Sequence, residues 1–125
     1  MQITPEAQAL MAGMLQKPLF VALRTPHNLS RASELLESHL LWAQGVERRG
    51  ELFASGPFVG AQDGPGALGG MSILRASTLE EAERIVAGDP FIREGVYTAT
   101  VRKWLLMEGG FTVTVRFSDQ STLLR

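Results

Sequence analysis

Apolar residues change their spacing several times along this chain, and each change marks the border of an element. Thr4-Pro5-Glu6 has the form of an N-cap followed by proline at the first helical position, and Ala7, Leu10 and Met14 recur at helical spacing behind it. The run Leu19-Phe20-Val21-Ala22-Leu23-Arg24-Thr25, closed by Pro26, reads as a strand buried on both faces. Ser30 is placed to cap a helix starting at Arg31, where Leu36, Leu40, Ala43 and Val46 return to one side until Gly50 stops it. Glu51 to Phe58 then alternates Leu52 and Ala54 with Phe53 and Ser55 before the turn signal Gly56-Pro57, which predicts a second strand.

A glycine-rich stretch from Gly60 to Gly70, with Asp63-Gly64-Pro65-Gly66 inside it, predicts a hairpin loop longer than usual. Gly70 to Ala76 forms the third strand, antiparallel to the second. Ser77 or Thr78, with Glu80 or Glu81 three residues on, starts a capping-box helix whose apolar side is Leu79, Ala82, Ile85 and Val86, and Gly88-Asp89-Pro90 ends it. Val96 to Met107 is a fourth strand, broken by Gly109-Gly110. Phe111, Val113, Val115 and Phe117 then alternate with Thr112, Thr114, Arg116 and Ser118, predicting an additional strand over about 111–118 with one buried face.

The order strand, helix, strand, strand, helix, strand is the split βαβ plan of an α+β, ferredoxin-like domain, with both helices on one face of an antiparallel sheet. One domain is expected over 1–125, its core at about 18–107, with an extra N-terminal helix and an extra C-terminal strand. The sheet face opposite the helices stays apolar and uncovered. Its simplest cover is a second copy of the same sheet, so a homodimer is expected.

Composition narrows the function classes. Twelve Lys and Arg against thirteen Asp and Glu leave a net charge of -1, too little field to gather nucleic acid or an anionic membrane. The longest apolar runs fall far short of the ~20 residues of a membrane-spanning helix, and Met1 to Gln16 lacks the basic start of a secretion signal. With no cysteine in the chain, thiol chemistry is excluded and a reducing, cytoplasmic setting is suited. Two histidines without His-x-His or His-x-x-x-His spacing predict no metal site. The glycine clusters lack the strand, turn and helix context of dinucleotide or phosphate loops, so no cofactor is expected.

Several short motifs, taken in order, carry a resemblance. Glu37-Ser38-His39-Leu40, Gly50-Glu51-Leu52 through Ser55-Gly56-Pro57, Gly70-Met71, and Asp89-Pro90-Phe91 with Gly95 together resemble the YciI-like family, over roughly Leu19 to Trp104. The resemblance implies a dimeric α+β barrel related to muconolactone isomerase-type proteins. It also implies that His39 and Asp89 form the active-site pair, and nothing in their spacing alone brings them together. One branch of the family removes chloride from a chlorinated hydroxyquinol, so dehalogenation or lactone isomerisation on a small cyclic molecule is the implied chemistry.

Each candidate also has a structural reading. His39 is a general base if a carboxylate fixes its tautomer, or a residue bordering the core near Leu35, Leu36, Trp42 and Ala43. Asp89 orients it, or serves only as a helix-end turn residue before Pro90. Phe91 and Trp42 are pocket walls or core aromatics. Ser55-Gly56-Pro57 offers a hydroxyl and close backbone approach to a substrate anion, or simply ends a strand. His27, in a loop after Pro26, carries little functional weight. The expected function is a small cofactor-independent lyase or isomerase acting on a small-molecule ligand. The alternatives are a non-catalytic dimeric binding module and an accessory subunit whose 111–117 strand extends a neighbour's sheet.

Overall fold

The computed structural model describes all 125 residues, Met1–Arg125. In chain order the elements are α1 (Pro5–Ala12), β1 (Lys17–Pro26), a 3-10 turn at Leu29–Arg31, α2 (Ala32–Arg48), β2 (Leu52–Pro57), β3 (Gly70–Leu74), α3 (Leu79–Ala87), α4 (Pro90–Arg93), β4 (Tyr97–Leu106), β5 (Val113–Val115) and β6 (Thr122–Leu124). They divide into a larger unit, Pro18–Leu105, and a smaller one made of Met1–Lys17 with Leu106–Arg125. No helix is long and apolar enough to cross a membrane.

The larger unit is the α+β, ferredoxin-like architecture that the apolar pattern predicts. Its sheet runs β2-β3-β1-β4, the strand order of the split βαβ plan. β1 and β3 pair antiparallel with Phe20 opposite Leu74 and Ala22 opposite Ser72, and β2 pairs antiparallel with β3 with Ser55 opposite Ser72. That register sends Phe20, Ala22, Ser72 and Leu74 to one face. Phe20, Ala22 and Leu74 pack there against Val46 of α2 and Ala82 and Val86 of α3. Burying side chains of this size contributes roughly 1.5–3 kcal/mol each for Val, Leu and Phe, so this layer supplies most of the drive for the helices to dock.

Several local expectations are corrected. β1 is fully covered on one face only: opposite Phe20, Ala22 and Arg24, Leu19 is buried but Val21 is half-buried and Leu23 is 38% exposed. Ser30 does not cap α2; Asn28 accepts from the Ser30 N–H at 3.1 Å and opens the 3-10 turn, and α2 follows without a side-chain cap. Asp89 does more than end a helix. Its carboxylate accepts the Phe91 N–H at 3.0 Å and caps α4, with Pro90 in the first helical position where a missing N–H costs nothing. Gly69 ends the long loop at φ +90°, and a Cβ there would meet the Arg24 carbonyl oxygen, so only glycine lets the chain pass β1 so closely.

In the smaller unit, Thr4 caps α1 by accepting the Ala7 N–H at 3.2 Å, and the Leu15 N–H reaches the Met107 carbonyl at 3.4 Å. The expected single strand over 111–118 is instead a hairpin: β5 pairs with β6, Val113 opposite Leu124 and Val115 opposite Thr122. Its apolar alternation does not mark a buried face. Val113 and Val115 are exposed and Phe117 is 93% exposed, while Thr114 and Leu123 take the more sheltered side. Alternation reports an extended backbone with two distinct faces; it does not supply a layer to cover one of them.

Candidate functional site

The register that builds the core also brings a charge into it. Arg24 follows Phe20 and Ala22 on the helix-covered face of β1 and is 6% exposed. A guanidinium so placed requires an acidic partner, because an uncompensated buried charge is far more costly than a paired one. The partner is Asp89, fully buried at the start of α4: its Oδ2 accepts from Arg24 Nε at 3.0 Å. Arg24 Nη2 lies 2.9 Å from the same oxygen but out of line for a hydrogen bond, so that contact is ionic. Arg24 Nη1 donates to Ser72 Oγ at 2.6 Å, and Ser72 Oγ lies 3.1 Å from Ser55 Oγ.

Asp89 Oδ1 completes the arrangement. It accepts the Phe91 N–H and lies 2.8 Å from His39 Nδ1, which projects from the middle of α2. Every group facing the Asp89 carboxylate is a donor, so the hydrogen between Asp89 and His39 belongs on Nδ1, a tautomer assigned from the network. Nε2 of the neutral ring then holds the free lone pair. It has no protein partner and is not buried. The imidazole is sandwiched in place, stacked on Phe91 with centroids 4.4 Å apart and planes 19° apart, and tilted against Trp42 at 5.9 Å.

His39 lines a cleft of about 950 Å³ between α2 and β2. That is a volume suited to a small organic ligand. Leu36 and Leu40 of α2 and Phe53 and Pro57 of β2 give it apolar walls, and Pro65, Gly66 and Gly69 of the long loop close one side. Tyr97 ties that loop down by donating to the Gly66 carbonyl at 2.7 Å, and its ring meets Phe91 edge-on at 5.2 Å. Burial pushes the Tyr97 phenol above its ordinary pKa, the Asp89 charge adds to that, and Arg24 partly offsets both. The hydroxyl therefore stays a donor to the loop.

Of the residues singled out in the sequence, His39, Asp89 and Phe91 meet in one cluster, and Ser55, Gly56 and Pro57 line the same cleft. Trp42 does not line it. Its ring packs behind His39, with the Arg24 guanidinium carbon 5.7 Å from its centroid, and borders the main core. His27 is exposed and does not line the cleft, its backbone N–H bonded to the Val96 carbonyl. No group of three His, Cys, Asp or Glu side chains is arranged to hold a metal ion. Arg24, Ser72 and Tyr97 escape a reading by motif. For Arg24 a signal existed: one charged residue at the buried parity of an apolar strand demands a buried acid elsewhere.

The sequence profile of the YCII-related domain matches residues 18–104. The chain belongs to that family. The matched stretch takes in all but the last residue of the sheet-and-helix unit and every residue of the cluster just described, and this YCII-related protein adds α1 and the β5–β6 hairpin outside it. Among solved structures it is similar to 5-chloro-2-hydroxyhydroquinone dehydrochlorinase from Burkholderia phenoliruptrix, in complex with 2,5-dihydroxybenzoquinone. That likeness has a TM-score of 0.55 at 22% identity and covers 69% of this chain and 92% of the other, so it speaks to the shared fold. A search of curated proteins finds no match.

Proposed function

We propose that this YCII-related protein is a small-molecule enzyme of the lyase or isomerase kind, with His39 as general base and Asp89 as its orienting partner. The observation that carries this reading is the 2.8 Å contact between His39 Nδ1 and the fully buried Asp89, with the other ring nitrogen left open beside a cleft. A general base needs a fixed tautomer, a free lone pair, and access to the proton it removes. His39 combines the three.

In an elimination, one ring hydroxyl proton first moves to the carbon that bears the chlorine, giving the keto tautomer; His39 Nε2 then takes the proton of the remaining hydroxyl, and the electron pair moves through the ring. A leaving group such as chloride departs with its bonding pair. His39 then gives its proton to solvent, so the net change is loss of HCl and no oxidant or reductant is consumed. A chlorinated hydroquinone suits this chemistry, because losing HCl converts it to the quinone level unaided. In an isomerisation the same proton returns at a different carbon. The dehydrochlorinase that shares this fold is bound to 2,5-dihydroxybenzoquinone, which makes hydroxylated six-membered rings the first class to test.

The test is chloride release and quinone absorbance across a panel of chlorinated hydroquinones. His39→Gln is expected to lower kcat by about 10²–10⁴-fold, the usual contribution of a positioned base, with the fold kept. Full turnover in that variant rejects the base role. Tight binding without turnover in the unaltered protein turns the reading to a ligand-binding module.

The working form we propose is a homodimer in which the open sheet face meets its copy. Leu23, Met71 and Ile73 share that face by register and are at least partly exposed. Sedimentation is expected to give twice the chain mass, and Leu23→Glu to shift the protein toward monomer. A monomer mass independent of concentration contradicts it.

A further inference from the structure

The hydrogen bonds leading away from Arg24 have a direction that the His39–Asp89 pair does not use. A guanidinium can only donate, so Ser72 Oγ accepts from Arg24 Nη1. Ser72 is buried, and its hydroxyl has one further partner, Ser55 Oγ at 3.1 Å. Were Ser55 the donor, Ser72 would accept twice and its own hydrogen would be buried with nothing to receive it. The reverse direction satisfies both atoms. Ser72 donates, Ser55 accepts, and the Ser55 hydrogen is the one left over. Ser55 is exposed and lines the same cleft as His39, so this hydrogen is available there. Each link is polarised by the one before it, starting from a full positive charge in a water-poor interior.

We propose that Ser55 is a substrate-binding donor set by Arg24 and Ser72, and that the group it receives is an anionic oxygen of the phenolate or enolate kind. This rests on the reading of His39 as the base: His39 removes a proton, and Ser55 holds the negative oxygen that results. Ser72 does not line the cleft and Arg24 borders it with its nitrogens engaged by Asp89 and Ser72, so both are positioning residues that act through Ser55. The apolar walls select a small ring to carry that oxygen.

4-Nitrophenol is the probe, because its phenolate absorbs visible light and one titration reads affinity and ionisation together. The unaltered protein is expected to bind the phenolate, and Ser55→Ala to weaken that binding about 10–100-fold, the range for a hydrogen bond to a charged group. Binding of 4-nitrotoluene, which has a similar shape without the oxygen, is expected to stay the same in both, and Ser55→Thr to restore phenolate binding. Ser72→Ala is expected to move the absorption maximum of the bound phenolate toward its position in Ser55→Ala, with thermal unfolding checking the fold; Ser72→Thr is expected to reverse the move. Equal phenolate affinity in the unaltered protein and Ser55→Ala overturns the proposal, and so does a folded protein that does not bind the probe. Failure of the underlying reading shows elsewhere, as unchanged turnover in His39→Gln.

Discussion

Replacing Asp89 with Asn keeps the size of the side chain and removes only its charge and half of its accepting capacity, which makes it the sharpest perturbation of this site. Three hydrogen-bond donors converge on the carboxylate, Phe91 N, His39 Nδ1 and Arg24 Nε, and Arg24 Nη2 adds an ionic contact. An amide offers one oxygen and one NH2, so either orientation sets hydrogens against hydrogens. In either orientation a guanidinium that is 6% exposed loses its only counter-charge. Breaking a buried pair from one side costs about 3–5 kcal/mol. With the NH2 toward Phe91 and His39, α4 loses its cap at about 1 kcal/mol, and His39 must move its hydrogen to Nε2 and give up the lone pair that faces the cleft. The stability of a domain this size is about 5–15 kcal/mol, so the larger figure removes a third or more of it. Urea unfolding of the unaltered protein, Asp89→Asn, Arg24→Met and the double variant forms a closed cycle. The expected result is a coupling above about 2 kcal/mol, with the double variant more stable than Asp89→Asn alone. Nitrogen NMR of the imidazole, run in parallel, is expected to find Nδ1 protonated in the unaltered protein. A loss below about 1 kcal/mol in Asp89→Asn, with an unchanged tautomer, refutes the network.

Other expectations follow from single contacts. Gly69→Ala places a Cβ on the Arg24 carbonyl oxygen at a backbone φ of +90°, and is expected to cost about 2–4 kcal/mol by combined clash and strain in thermal or urea unfolding. Tyr97→Phe removes the bond to the Gly66 carbonyl, for a loss of about 0.5–1.5 kcal/mol and faster hydrogen exchange across the loop at 60–69. Tyr97 itself is expected to ionise later than a free phenol in an absorbance titration. Because folding raises its pKa, its contribution to stability is complete below about pH 10 and is lost as pH climbs through the raised value.

The fold was legible because the strongest signals in this chain are periodic. The apolar run at Leu19–Thr25, the helical stripe through Leu36, Leu40, Ala43 and Val46, and the capped helix after Thr78 each specify an element, although Leu36 and Leu40 stand half exposed as cleft walls and only Val46 of their stripe is buried. Their order leaves one sheet topology. The misplaced details are those that periodicity does not encode. Asn28 rather than Ser30 opens the first helical segment because two capping residues stand two apart and only tertiary packing selects between them. Asp89-Pro90 is a stop for α3 and a start for α4 at once, since proline that cannot continue one helix is well suited to begin the next. The hairpin partner Thr122–Leu124 lacks an alternation of its own, so nothing announced it.

The site was legible only through its motifs, and the physical reason lies in its depth. His39 and Asp89 are fifty residues apart in the chain and meet at 2.8 Å because α4 packs against α2. No local pattern carries that meeting. What the chain does carry is an imbalance: Arg24 stands at a buried position in β1, and a buried cation makes a buried anion necessary. Asp89 fills that requirement with one oxygen and has the other left for His39. The oxygen that steadies the imidazole is thus held in place by a charge on the opposite side of the carboxylate, and the same guanidinium extends through Ser72 to Ser55. One arginine is thereby placed to orient both the proposed base, His39, and the proposed donor, Ser55, toward a single cleft. That coupling predicts that Arg24→Lys disturbs both at once: a lysine presents one compact ammonium where the guanidinium contacts Asp89 and Ser72 with separate nitrogens, so it can hold the carboxylate only by releasing the hydroxyl. Turnover and 4-nitrophenolate binding are expected to fall together in that variant, and a variant that loses one while keeping the other shows that the two arms work independently.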